Sequence, residues 1–233
     1  MRVLVIGDTH IPFVHPNYLR FLKEIAEDYE PEKIVHIGDL VDHHALSRFV
    51  SDPDGLTSGN EWKASLDELS RFSKAFPEVE WVIGNHDARP FIKAYDSQIP
   101  EAFIRTLEEI YGLPEGWEVK PKTEIDGVLY THGLGGGGQW GWQGLSLKQG
   151  QSTVIGHFHS VGGVRYHRSP VGQNFTMVVG SGADEDSYAM AYGKGMPARP
   201  VLGCGLVEDG VYAQFIPMDM GERRFYRKRR QVL

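Results

Sequence analysis

Five short apolar runs recur along the first two-thirds of the chain: RVLVIG at 2–7, KIVHIG at 33–38, VEWVIG at 79–84, GVLYTHG at 127–133 and STVIGH at 152–157. Each has strand length and near-continuous hydrophobicity, the pattern of strands buried on both faces. Two segments between the first three runs show the helical period instead. NYLRFLKEIAEDYE at 17–30 places Tyr18, Leu22, Ile25 and Tyr29 on one stripe, and EWKASLDELSRFSKAF at 61–76 does the same with Trp62, Leu66, Leu69 and Phe72. Strand–helix–strand alternation predicts right-handed parallel crossovers in the first half. After about residue 150 the pattern changes to strands and turns. GGVRYHRS, NFTMVVGSG and VLGCGLVEDGVYAQFIPM predict hairpins, the last turning at Asp209-Gly210. With no linker and no repeat, the expectation is one α/β domain over residues 1–222, parallel first and antiparallel later. The glycine-rich GLGGGGQWGWQG at 133–144 predicts a mobile loop carrying Trp140 and Trp142.

The polar residues at the ends of these runs are chemically distinctive. Asp8 and His10 come after the first; Asp39, Asp42, His43 and His44 after the second; Asn85, His86 and Asp87 after the third. His132 closes the fourth, and His157 and His159 close the fifth, where strand alternation would point both imidazoles to one face. In an open α/β sheet the carboxyl ends of parallel strands line one crevice, so these side chains converge. Asp8, His10, Asp39, Asn85, His132, His157 and His159 offer oxygen and imidazole donors and no thiol, a set suited to Mn, Fe or Zn. Seven ligands exceed the needs of one ion and suit two ions, about 3.5–4 Å apart, that share a carboxylate. His15, His36, His44 and His167 are expected to be ordinary satisfied polar residues.

Composition narrows the partners. The chain has 233 residues, 41% hydrophobic and 24% charged, which is ordinary for a globular protein with a sizeable core. No apolar run approaches the length of a membrane span. MRVLVIGD enters a strand directly, with no cleavable leader, so a cytoplasmic location is expected. The single cysteine, Cys204, cannot form an internal disulfide and fits a reducing compartment. The formal charge of −7 argues against a general nucleic-acid coat, yet residues 223–233 hold six of the 24 basic residues and no acid. A cationic tail of this kind, RRFYRKRR with aromatics among the charges, is suited to phosphate backbones or an acidic partner, and equally to simple solubility.

The ordered blocks DTH, GDLVD, GNHD, TH and GHFH, spanning residues 8–159, resemble the calcineurin-like metallophosphoesterase superfamily, whose pattern is D-x-H, G-D-x-x-D, G-N-H-[D/E], a lone His and G-H-x-H. The resemblance implies a four-layer α/β/β/α sandwich of two facing mixed sheets, with the late hairpins building the second sheet. It implies that Asp8, His10, Asp39 and His159 bind one divalent ion, and that Asp39, Asn85, His132 and His157 bind another, manganese before iron, zinc or nickel. It further implies a metal-bridging hydroxide as nucleophile and His86 as general acid, oriented and kept protonated by Asp42. Asn85, Arg89, Arg48, His43, Trp140 and Trp142 are candidate substrate contacts. The protein-phosphatase branch carries an Arg directly after G-D-x-x-D, where this chain has His43, so phosphodiester hydrolysis, on a nucleotide or nucleic acid, is favoured over a Ser/Thr phosphatase. A scaffold that has lost catalysis is the third alternative, and the retained His of GNHD speaks against it.

Overall fold

A computed structural model describes residues 1–48, 54–133, 140–170, 172–187 and 199–220. The basic segment 223–233 and residues 134–139 of the glycine-rich loop lie outside the described residues. The first sheet is built on β1 (Arg2–Ile6), β2 (Lys33–His36), β3 (Val79–Val82) and β4 (Trp117–Lys120), all parallel. The second contains β5 (Thr123–Ile125), β6 (Val128–Thr131), β7 (Ser152–Ile155), β8 (Gly162–Ser169) and β9 (Gly172–Val179), in the order β5-β6-β7-β9-β8. Its core, β6-β7-β9, is parallel, and the edge strands β5 and β8 run antiparallel.

Side-chain alternation turns these sheets into four layers. On β1, Leu4 and Ile6 face Tyr18 and Leu22 of α1 (Tyr18–Tyr29) and Leu69 and Phe72 of α2 (Ser58–Ala75). Val3 and Val5 face the other way, into a core shared with Tyr130, Val154, Phe175 and Met177 of the second sheet. The outer face of that sheet sends Ile155 and Val178 against Trp142 and Leu145, the latter opening a short helix, Leu145–Gln149. Three separate apolar layers between four structural ones make an α/β/β/α sandwich of two mixed sheets. No helix among the described residues is long and apolar enough to cross a membrane.

Three expectations need correction. The last hairpin, β10 (Gly203–Glu208) and β11 (Tyr212–Pro217), does turn at Asp209-Gly210, both at positive φ, but it joins the first sheet beside β1. Cys204 and Leu206 belong to the helix-side core and Val207 to the inter-sheet core, so β10 needs cover on both faces, which the flank of β1 supplies. On α2 the buried ridge is Glu61, Ser65, Leu69 and Phe72, while Trp62 is 39% exposed and its indole N–H donates to the carbonyl of Ile110. Finally, β7 ends at Ile155, and His157 takes a left-handed φ of 68°, so a turn rather than strand alternation aims the two histidines.

Candidate metal centre

All seven predicted donors meet at the carboxyl ends of β1, β2, β3, β6 and β7. Asp8, His10, Asp39 and His159 form one group and Asp39, His132 and His157 another, each with donor atoms within 4.8 Å of one another. Asp39 belongs to both. Its Oδ2 stands 3.2 Å from Nε2 of His132 and 3.9 Å from Nε2 of His10. Asn85 joins the second group, with Oδ1 3.0 Å from His132 Nε2 and 2.9 Å from His157 Nδ1. Across the first group His159 Nε2 lies 3.1 Å from Asp8 Oδ2 and 3.0 Å from His10 Nε2.

Backbone geometry prepares this arrangement. His10, Asp39 and His157 all adopt positive φ, a conformation that costs a non-glycine residue and is concentrated at functional sites. Two glycines permit the close approach: a Cβ on Gly84 would sit 2.2 Å from Asp39 Oδ1, and one on Gly156 2.2 Å from Asp8 Oδ1. Backbone N–H groups then pin the carboxylates. His86 N donates to Asp39 Oδ1 and His157 N to Asp8 Oδ2, both at 2.7 Å. The remaining polar partners select tautomers. Nδ1 of His10 donates to Asp42 Oδ1 at 2.6 Å and Nδ1 of His132 to the Ile37 carbonyl at 3.1 Å, which leaves each Nε2 turned to the shared carboxylate as a ligand atom.

The donor set fits a divalent cation. Asp8 and Asp39 are fully buried, and Asp8 Oδ1 has no hydrogen-bond partner. Burial works to lower the pKa of His132, yet the carboxylates of Asp39 and Asp8 push it up to about 10, so the cluster is short of positive charge. A bound cation supplies that charge directly.

Beside the donors lies a second network. Nδ1 of His86 is 2.9 Å from Asp42 Oδ1, the oxygen that also accepts from His10. Burial would raise Asp42, but the hydrogen bonds from His10 and His86 hold it well below the usual carboxylate range. Burial would lower His86, while Asp39 and Asp42 outweigh it and raise it. Arg89, the first residue of α3 (Arg89–Asp96), donates to the carbonyls of Asp42 and His43 at 2.9 and 3.2 Å, and its Nη2 stands 3.0 Å from His86 Nε2. His43 Nδ1 donates to the His86 carbonyl at 2.9 Å and its Nε2 accepts from the Tyr111 hydroxyl at 2.5 Å.

Other candidates lie apart from the donors. Arg48 is exposed and paired with Asp96 at 2.7 Å. Trp142 is buried in the outer apolar layer, where it packs its loop against the body, and Trp140 is 66% exposed. Three braces were not foreseen. Asp87 accepts from Val41 N, Trp81 Nε1 and Gly84 N, tying the loops after β2 and β3 together; its only sequence signal is the fourth position of GNHD. Glu61 accepts from His44 N and Ala45 N, opening the 3₁₀ turn His44–Leu46. Thr9 links the Leu40 carbonyl and His36, joining the loops after β1 and β2.

A four-layer α/β sandwich with a histidine–carboxylate cluster at its strand ends defines a metallophosphoesterase. Residues 1–177 match the family model described as calcineurin-like phosphoesterase, and the chain belongs to that family. The Gene 54 proteins of Mycobacterium phages D29 and L5 are each 28% identical to it, over 190 and 195 residues. The D29 match takes in 69% of this chain and 70% of the relative; the L5 match takes in 74% of each. The structure of vacuolar protein sorting 29 from Cryptosporidium parvum is similar over 93% of this chain and 96% of that one, at 13% identity and a TM-score of 0.46. Family and donor cluster together make the chain a phosphoester hydrolase with a divalent-metal site.

Proposed function

We propose that the chain hydrolyses phosphodiester bonds of a nucleotide or nucleic acid, with two divalent ions in the cleft and His86 as general acid. The observation that carries this reading is the pair of donor groups sharing Asp39 next to the His86–Asp42 pair. Asp8, His10, Asp39 and His159 would hold one ion, and Asp39, Asn85, His132 and His157 the other, with manganese first among the metals that such oxygen and imidazole donors accept. When bound, the ions supply Lewis acidity toward the phosphoryl group and a water acidified to near neutrality.

The chain's own residues do the rest. Asp42 fixes the His86 ring through Nδ1 and favours its protonated form, so Nε2 can give a proton to the ester oxygen as that oxygen leaves with the P–O electron pair. Nε2 lies 3.9 Å from Asp39 Oδ2, beside the reacting centre. Arg89 must yield its place at Nε2 when that atom carries a proton, and a phosphoryl oxygen is the anionic acceptor to which it turns. The preference for diesters is supported by charge. Two carbonyls hold Arg89 and Asp96 holds Arg48, so only the one Arg89 nitrogen released from His86 faces the phosphoryl group, enough for the single charge of a diester and short of the dianion of a monoester.

A substrate panel tests this: with Mn²⁺, metal-depleted protein is offered bis-p-nitrophenyl phosphate, the monoester, cyclic nucleotides, single-stranded DNA and a phosphopeptide. Turnover of diesters is expected, and turnover of monoesters alone would reverse the preference. His86→Ala should keep its metal content and lose about 10²–10⁴-fold on esters with poor leaving groups. Unimpaired cleavage of an unactivated ester by that variant removes His86 from the mechanism.

A further inference from the structure

The segment that continues from Arg89 has no part in the chemistry above, yet it carries the most exposed aromatic rings among the described residues. Residues 95–103 are exposed without interruption. Tyr95 is 83% exposed and Phe103 80%, with Ile92 and Ile99 partly exposed beside them. Leaving this much aromatic surface in water is unfavourable, and contiguous apolar patches mark interaction sites.

The ledge is ordered and connected to the cleft. Its backbone is closed by Ser97 N to Lys93 O, Ile99 N to Ala94 O and Ile104 N to Glu101 O, at 3.0, 2.9 and 2.9 Å. Arg48 grips Asp96 at the end of α3, which holds that end against the segment following Asp42 and His43. Six residues at 1.5 Å each put Tyr95 about 9 Å along the helix axis from Arg89, or two to three nucleotides at a stacked rise of about 3.4 Å. The charges along the segment alternate with the rings: Arg89, Lys93 and Arg105 are cationic, while Asp96 is neutralised by Arg48 and only Glu101 opposes them.

We infer that Tyr95 and Phe103 form a stacking ledge for single-stranded nucleic acid, whose backbone runs along α3 into the metal cleft. Exposed rings interleaved with cations suit unpaired bases, which present π-faces regardless of sequence. A chain of net charge −7 cannot hold the polymer by electrostatics alone, so stacking must supply the grip. The choice of ligand rests on the phosphodiester reading, but the ledge is tested by binding and not by turnover.

The experiment is fluorescence anisotropy of a labelled oligothymidylate with the full-length protein in EDTA. Tyr95→Ala and Phe103→Ala should each raise Kd about 5- to 100-fold, the range for losing one base–aromatic stack. Tyr95→Phe should bind as the parent does, whereas Tyr95→Leu, which keeps apolar area without a π-face, should weaken binding like the alanine. Thermal melts check that the variants are folded. Failure of the parent to bind, an unchanged Kd in the double alanine variant, or full binding by Tyr95→Leu would overturn the ledge. So would sedimentation showing that the double variant turns a dimer into a monomer, since the patch would then join two copies. Ring-dependent binding without turnover of any ester would sink the phosphodiester reading alone; diester turnover without oligonucleotide binding would sink the ledge alone.

Discussion

Acid should loosen the protein through His36, a residue outside the donor set. Its ring is fully buried, Nε2 donates to Thr9 Oγ1 at 3.0 Å, and Nδ1 accepts from Gly38 N at 3.4 Å. The contact from Gly38 requires the neutral imidazole, since a protonated Nδ1 cannot accept, and burial pushes the pKa down to about 3. The unfolded chain takes up this proton near pH 6.5, where the folded chain refuses it. The unfolded state therefore binds more protons between pH 6.5 and 3, and stability present above that window is lost as pH falls through it. Each unit is worth about 1.4 kcal/mol, so near pH 4.5 the penalty reaches about 2.7 kcal/mol, a large share of a typical folding free energy. His36→Gln keeps a donor toward Thr9 and removes the titration. Urea unfolding of both proteins in EDTA near pH 7.5 and pH 4.5 isolates the effect, because every other titrating group is common to them. The parent should lose about 2–3 kcal/mol more than the variant on acidification. Equal losses would show that His36 titrates normally in the folded protein and refute the burial reasoning.

Two further substitutions separate site from scaffold. Gly156→Ala should weaken metal binding about 10- to 100-fold, the cost of disturbing the surroundings of a ligand, because its Cβ would meet Asp8 Oδ1 at 2.2 Å; metal analysis after dialysis reads this, and parental metal content would contradict it. Trp142→Ala should cost about 3–5 kcal/mol in urea by emptying the layer over Ile155 and Val178 while leaving metal content intact, and a loss below about 1 kcal/mol would mean the indole is not a packing residue.

The donors were legible because each is fixed by its immediate neighbourhood: a buried strand, a turn, then a carboxylate or imidazole. The pieces that escaped notice act across long stretches of chain. Asp87 joins Val41 to Gly84, and Glu61 reaches back to His44. Short polar strands such as β4 and β5 carry too few apolar positions for their period to show. Trp62 fitted the periodic stripe, yet the buried ridge of α2 is rotated toward Glu61, whose carboxylate goes inside because two backbone N–H groups await it.

Read alone, the amino-acid order determined the alternating strands and helices, the seven donors and their likeness to calcineurin-like phosphoesterases, since these follow from local periodicity and from residues adjacent to strand ends. Only the tertiary structure decided which ring nitrogens of His10 and His132 face Asp39, and that Trp142 is packing. It also decided that the last hairpin flanks β1. The physical reason is that these outcomes depend on which distant segments share a layer, and a hydrogen bond or an apolar contact has no direction along the chain from which to read its partner.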